Sequence, residues 1–79
     1  NGTRIEFDGK GNWKDVDAEP GIVPKKIVPN AISNYVAKNF PGTSIRQIEK
    51  RRRGGYQVEL SNGLELKFDS SLKFVRMDD

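Results

Sequence analysis

Hydrophobic and polar residues alternate along this chain in short stretches, with two different periods. Thr3-Arg4-Ile5-Glu6-Phe7-Asp8 alternates polar and apolar side chains, the pattern of a half-buried strand. Asp8-Gly9-Lys10-Gly11-Asn12 is a turn sequence, and residues 13–17 read as the returning strand. Taking Gly9-Lys10-Gly11 as a three-residue loop sets Phe7 opposite Trp13 and gives Gly11 the left-handed position that such loops need. Ala18-Glu19-Pro20-Gly21 is a connector. From Pro29 the period changes. Ile32, Tyr35, Val36 and Phe40 fall at i, i+3, i+4 and i+8, the apolar stripe of one amphipathic helix. Ser33, Asn34 and Lys38 take its wet side, and Pro41-Gly42 ends it. Pro24 and Pro29 suit a first helical turn and resist a helix interior, so a short turn is expected ahead of the main helix.

Period two returns after the helix. Residues 45–51 form one expected strand, broken at Gly54-Gly55. Tyr56, Val58 and Leu60 alternate with Gln57 and Glu59, and Leu64, Leu66 and Phe68 alternate with Glu65 and Lys67. A two-residue Asn62-Gly63 turn would set Leu60 against Glu65 and mix the apolar and charged rows on one face. A three-residue loop, Ser61-Asn62-Gly63, instead pairs Leu60 with Leu64, Val58 with Leu66 and Tyr56 with Phe68. Glu59 then opposes Glu65 on the other face, with Lys67 close by to offset the repulsion. The last strand is expected over residues 72–77.

That strand exposes an internal repeat. Phe7, Asp8, Trp13, Val16 and Asp17 recur as Phe68, Asp69, Phe74, Met77 and Asp78, each 61 residues later. If the repeat is real, residues 1–17 are the closing hairpin of a preceding unit, and residues 22–79 are a helix followed by a strand meander. The seven aromatic residues all fall on rows assigned to the core or at the helix end. The expected fold is α+β: an antiparallel sheet of five to six strands with one α-helix packed across one face, the other face being paved with Glu6, Gln57, Glu59, Glu65 and Lys67. The whole is expected to be one domain, residues 1–79.

Composition narrows the chemistry. The 79 residues contain no cysteine and no histidine, and 34% are hydrophobic. A chain this short buries only about 60% of its unfolded surface, so its stability should be marginal. Disulfides, thiolate nucleophiles and histidine bases or ligands are excluded. The serines have no histidine base, Gly9-x-Gly11 and Gly54-Gly55 lack the lysine and hydroxyl of a phosphate loop, and paired acids on an open, solvated sheet face stay ionised. The segment 8–12 departs from a calcium loop, with Lys10 at the third position and Trp13 at the sixth, and reads as a hairpin turn. No catalytic residue, cofactor or metal is expected. No apolar run approaches the roughly 18–20 residues of a membrane span. The chain opens on Asn1-Gly2-Thr3 rather than methionine, which reads as a trimmed chain with any targeting segment outside it.

Net charge is +3, but it is concentrated. Residues 46–53 hold Arg46, Lys50, Arg51, Arg52 and Arg53 against the single acid Glu49, leaving the rest close to neutral. Three readings of Lys50-Arg51-Arg52-Arg53 stand side by side. It is a rim that docks an acidic protein partner, a polyanion or nucleic-acid patch, or a solvated basic turn that protects a strand edge. For a protein partner the candidate surface is Lys50, Arg51, Arg52 and Arg53 with Gln57, Glu59, Glu65 and Lys67 on the polar sheet face. For nucleic acid the aromatics needed for base stacking are committed to the core.

Phe7-Asp8-x-x-Gly11-Asn12-Trp13, then Ala37-Lys38-Asn39-Phe40-Pro41-Gly42, then Gly55-Tyr56-Gln57-Val58-Glu59-Leu60-Ser61-Asn62-Gly63 and Leu64-Glu65-Leu66-Lys67-Phe68-Asp69 follow one another in an order that resembles the PepSY-like domains of gut Bacteroidetes. Those domains are similar in fold to the beta-lactamase inhibitor protein. The resemblance covers nearly the whole chain, through turns and core rows rather than chemistry. It implies an extracytoplasmic, typically periplasmic protein, with units often in tandem and no catalytic residue to carry over. Its expected role is a non-enzymatic interaction module, with peptidase inhibition or regulation suggested by fold neighbours. The partner it implies is a secreted peptidase or another envelope protein. The run Arg51-Arg52-Arg53 is not part of the family pattern.

Overall fold

A computed structural model describes residues 3–18, 21–51 and 54–78. Six strands and one helix follow in chain order: β1 (Arg4–Phe7), β2 (Trp13–Asp17), α1 (Asn30–Asn39), β3 (Ile45–Lys50), β4 (Tyr56–Leu60), β5 (Glu65–Phe68) and β6 (Phe74–Asp78). The strands form one antiparallel sheet in sequence order, so β1 and β6 are its edges. A turn held by Ile27 N donating to Pro24 O and Val28 N to Lys25 O precedes the helix, as the two prolines predict.

The core lies between the helix and one sheet face. Ile32 and Val36 of α1 are buried against Val16, Ile48, Val58, Leu60, Leu66 and Phe68, one row from each of the four inner strands. Tyr35 packs edge-on to Phe68 with ring centroids 5.5 Å apart and stacks on Phe74 at 4.9 Å. Period two explains this directly, since every second residue of a strand faces the helix. The register derived for the β4–β5 hairpin holds: Tyr56 opposes Phe68, Val58 opposes Leu66 and Glu59 opposes Glu65. Leu60 N donates to Leu64 O, and Gly63 has φ 90°, the left-handed conformation that makes glycine the natural residue there.

The 61-residue correspondence is geometric as well as sequential. Arg4, Ile5, Glu6 and Phe7 oppose Asp17, Val16, Asp15 and Trp13, while Glu65, Leu66, Lys67 and Phe68 oppose Asp78, Met77, Arg76 and Phe74. Both hairpins shift register at the same place, before Phe7 and before Phe68. Asp8 Oδ1 accepts from the N–H groups of Lys10 and Asn12, and Asp69 Oδ1 accepts from those of Ser71 and Lys73. Leu72 stands where the first hairpin has Gly11 and shares its positive φ, 66° against 87°. Because Leu72 belongs to this loop, the last strand begins at Phe74, two residues later than expected.

One expectation about the core is corrected. The aromatic rows do not all enter it: Phe7 is 58% exposed, and Phe74 is 37% exposed. Ile5 beside Phe7 is 40% exposed, whereas their counterparts Leu66 and Phe68 are sealed. The physical reason is position in the sheet. The helix covers β5 but stops short of β1, so equal local patterns meet unequal cover.

Asp8 also carries a pH signature. The backbone N–H of Lys10, then that of Asn12, holds its carboxylate below the ordinary value of 3.8. A depressed folded value means the stabilisation is present above the unfolded value and is lost as pH falls through the folded one. The amide signals of Lys10 and Asn12 are therefore expected to titrate with a midpoint below pH 3.8. A midpoint at or above that value in a chemical-shift titration would contradict the two hydrogen bonds.

Candidate functional site

The face away from the helix carries two side chains from each strand, and pairing decides which of them meet. Asp15 opposes Glu49 and Asp17 opposes Gln47 across β2–β3, Glu49 opposes Gln57 across β3–β4, and Gln57 opposes Lys67 across β4–β5. Gln47 Nε2 donates to Asp15 Oδ1 at 3.2 Å. The centre of this face is therefore acidic and amide-rich, around Asp15, Glu49, Glu59 and Glu65. Three of its cations, Arg51, Lys67 and Arg76, lie toward the β6 edge, while Arg4 lies on the β1 edge opposite Asp17.

The sequence-predicted residues sort onto this frame as follows. Gln57, Glu59, Glu65 and Lys67 share the polar face, as expected. Lys67 Nζ lies 3.3 Å from Asp78 Oδ2, so its ion-pair partner in β6 is one the sequence reading had not assigned to it. Arg76 Nε is 3.5 Å from the same carboxylate oxygen. Both pairs are solvated and contribute little to stability, about 0–1 kcal/mol each. Lys50 and Arg51 part company, because neighbouring residues of a strand project to opposite faces. Lys50 opposes Tyr56 and sits over the Trp13 ring, 4.3 Å from its centroid. Arg51 Nη1 donates to Gln57 Oε1 at 2.7 Å on the polar side. Arg52 and Arg53 lie outside the described residues.

Pairing also assembles a cleft that the sequence reading missed. Arg51, Lys67 and Arg76 line a polar cleft of about 440 Å³ with Asp69, Ser70 and Val75. The Asp69 carboxylate already accepts two N–H groups of its own turn. Three cations from three separate segments thus converge beside the open edge of β6. The alternation of Arg76 with Val75 and Met77 in the last strand was the available signal. What it lacked was the β5–β6 register that brings Arg76 opposite Lys67.

That edge also exposes apolar surface, Met77 on the helix side at 49% accessible and Val75 beside the cleft at 57%. The arrangement can hold a carboxylate-bearing extended chain. Among the described residues no three acidic side chains gather closely enough to hold a metal ion. Nor does any helix among them have the length and apolar character to cross a membrane, a statement that does not concern β-barrels.

Comparison with known proteins agrees with this geometry. Residues 1–76 match the family described as beta-lactamase-inhibitor-like, PepSY-like. No curated protein matches the chain. Three solved structures from Bacteroides superpose on it closely. One, described as a calcium-regulated periplasmic protein from Bacteroides thetaiotaomicron, is 43% identical with a TM-score of 0.94 over 100% of this chain and 61% of its own. A second, described as a periplasmic protein from Bacteroides vulgatus, is 42% identical with a TM-score of 0.92 over 99% of this chain and 61% of its own. A third from the same species, described as a periplasmic protein of unknown function, is 40% identical with a TM-score of 0.90 over 99% of this chain and 61% of its own. The chain thus spans about three-fifths of the length of the solved proteins it resembles.

Proposed function

Because the chain belongs to the PepSY-like, beta-lactamase-inhibitor-like family, we propose that it works outside the cytoplasm as a non-enzymatic protein-interaction module. Its location is periplasmic, in line with relatives at 40–43% identity described as periplasmic. The observation that carries the interaction reading is a pair of sheet edges that retain apolar side chains in the open, Ile5 and Phe7 on β1 and Val75 and Met77 on β6. Exposed strand edges with apolar neighbours are templates for further strands or packed segments. Peptidases and their regulators fit this mode, since both handle extended chain, and a secreted peptidase or envelope protein is the partner class.

The two edges have different occupants in this reading. The first hairpin, within residues 1–17, closes a core supplied by a preceding unit, while residues 22–79 form a helix followed by a strand meander. Support comes from Ile5 and Phe7, which occupy the places of the fully enclosed Leu66 and Phe68.

Site-specific photocrosslinkers at Ile5, Gln57 and Val75 of the intact parent protein, expressed in its own periplasm, test the module reading. The expected result is a discrete protein adduct from at least one position, competed by excess chain lacking the crosslinker. The reading fails if no position yields an adduct. An adduct with nucleic acid, weakening steeply as salt rises, would establish the polyanion reading in its place.

A further inference from the structure

Resting on the interaction-module reading, we propose that the outer edge of β6, which pairs with no other strand among the described residues, receives an antiparallel peptide strand of defined chemistry, with an apolar residue opposite Met77 and a carboxylate opposite Arg76. The molecule contains its own template for this contact. The β1–β2 hairpin and the β5–β6 hairpin correspond pair for pair, so β6 is the 61-residue equivalent of β2. The outer edge of β2 is occupied: Asp15, Val16 and Asp17 oppose Glu49, Ile48 and Gln47 of β3. That pairing seals Val16 and Ile48 completely, both at 0% exposure. On β6 the corresponding residues are Arg76, Met77 and Asp78, and among the described residues they pair with β5 alone. Met77, in the place of Val16, is left 49% exposed.

An edge can be protected against such pairing by a bulge or by charge, and neither device closes this one. The register shift in the β5–β6 hairpin has its equal in the β1–β2 hairpin, where β3 is accommodated all the same. Charge selects the guest instead of excluding guests. At the β2 edge Glu49 faces a like charge, Asp15, whereas at the β6 edge the same position faces Arg76. Arg76 also borders the cleft it shares with Arg51 and Lys67, so an incoming carboxylate would meet these cations alongside the Asp78 carboxylate that pairs with Lys67 and Arg76. A strand carrying apolar and acidic residues in alternation satisfies both sides at once, apolar toward the helix face and acidic toward the cleft. Backbone pairing supplies affinity, and these two side-chain positions supply selectivity.

The β3 sequence carries the required neighbours, Ile48 and Glu49, opposite the equivalents of Met77 and Arg76, and provides the probe. The nitrogen-15-labelled chain is titrated with a capped synthetic peptide, Ile-Arg-Gln-Ile-Glu-Lys, followed by amide chemical shifts. The expected result is saturable shifts concentrated on residues 74–78 and their β5 partners. Arg76→Glu should weaken binding by about tenfold or more. A peptide with lysine in place of glutamate should recover most of that loss on the R76E chain, which a merely structural effect of the substitution would not do. Absence of shifts in β6, or an unchanged affinity for R76E, overturns the proposal. Concentration-dependent β6 shifts without peptide overturn it in favour of a second copy of the chain as occupant. If β6 stays silent while crosslinks form at Ile5 or Gln57, this assignment falls and the interaction-module reading stands.

Discussion

Phe68→Ala is expected to lower the unfolding free energy by about 3–5 kcal/mol, whereas Phe7→Ala, at the equivalent place in the other hairpin, should change it by less than about 1 kcal/mol. Phe68 is 2% exposed and meets two rings edge-on, Tyr35 at 5.5 Å and Phe74 at 6.0 Å. Removing it takes away the buried ring and leaves a cavity under the helix that neighbouring strands cannot close without breaking register. Phe7 is 58% exposed, so most of its surface is in water already. Total stability of a small domain is about 5–15 kcal/mol, and one this short belongs near the lower end, so the first variant should retain only about 0–2 kcal/mol. Urea melts followed by circular dichroism give both values. Equal losses in the two variants would show that the helix does not cover the sheet asymmetrically. The same pair measured in the longer parent separates the roles of the two edges. There the proposal predicts that Phe7→Ala costs nearly as much as Phe68→Ala, a preceding unit covering it; an unchanged stability would remove that unit from the proposal.

Gly55→Ala should destabilise by about 2–3 kcal/mol, a large effect for one added methyl group. An ideal Cβ at Gly55 would lie 2.5 Å from the carbonyl oxygen of Phe68. The obstacle is main chain in the neighbouring strand, so no side-chain rotation relieves it. Gly55 O also accepts from Arg51 N at 2.7 Å, which ties the residue to the β3–β4 loop on its other side. Relief therefore requires β4 and β5 to separate near Tyr56 and Phe68, at the end of the sheet beside the cationic cleft. Gly63→Ala is the control. It has φ 90° with open space around it, so only backbone strain is added, about 1–2 kcal/mol. A smaller loss at Gly55 than at Gly63 would contradict the close approach.

The candidate site was less legible than the fold, and particular residues show why. Arg51 and Lys67 stand out in the sequence, as do Gln57, Glu59 and Glu65, because run composition and alternation are local. Arg76 does not, because its importance comes from lying opposite Lys67 and beside Arg51. Lys50 shows the reverse case. It belongs to the basic run by sequence, yet β2–β3–β4 pairing carries it over the Trp13 ring, away from Arg51.

By itself the sequence determined the helix, the strand rows, the three-residue loops, the register of the β4–β5 hairpin and the opposition of Phe7 and Trp13 in the first. These depend on periodicity and on residues with restricted backbone choices, such as Gly11 and Gly63, whose effects reach only a few positions along the chain. Tertiary structure alone decided which hairpin lies under the helix, which strand takes the outer edge of β2, and which cations meet. Phe7 and Phe68 share a local pattern and differ in cover by more than half their surface. Burial and charge convergence depend on neighbours brought together from distant parts of the chain, and no local period records them.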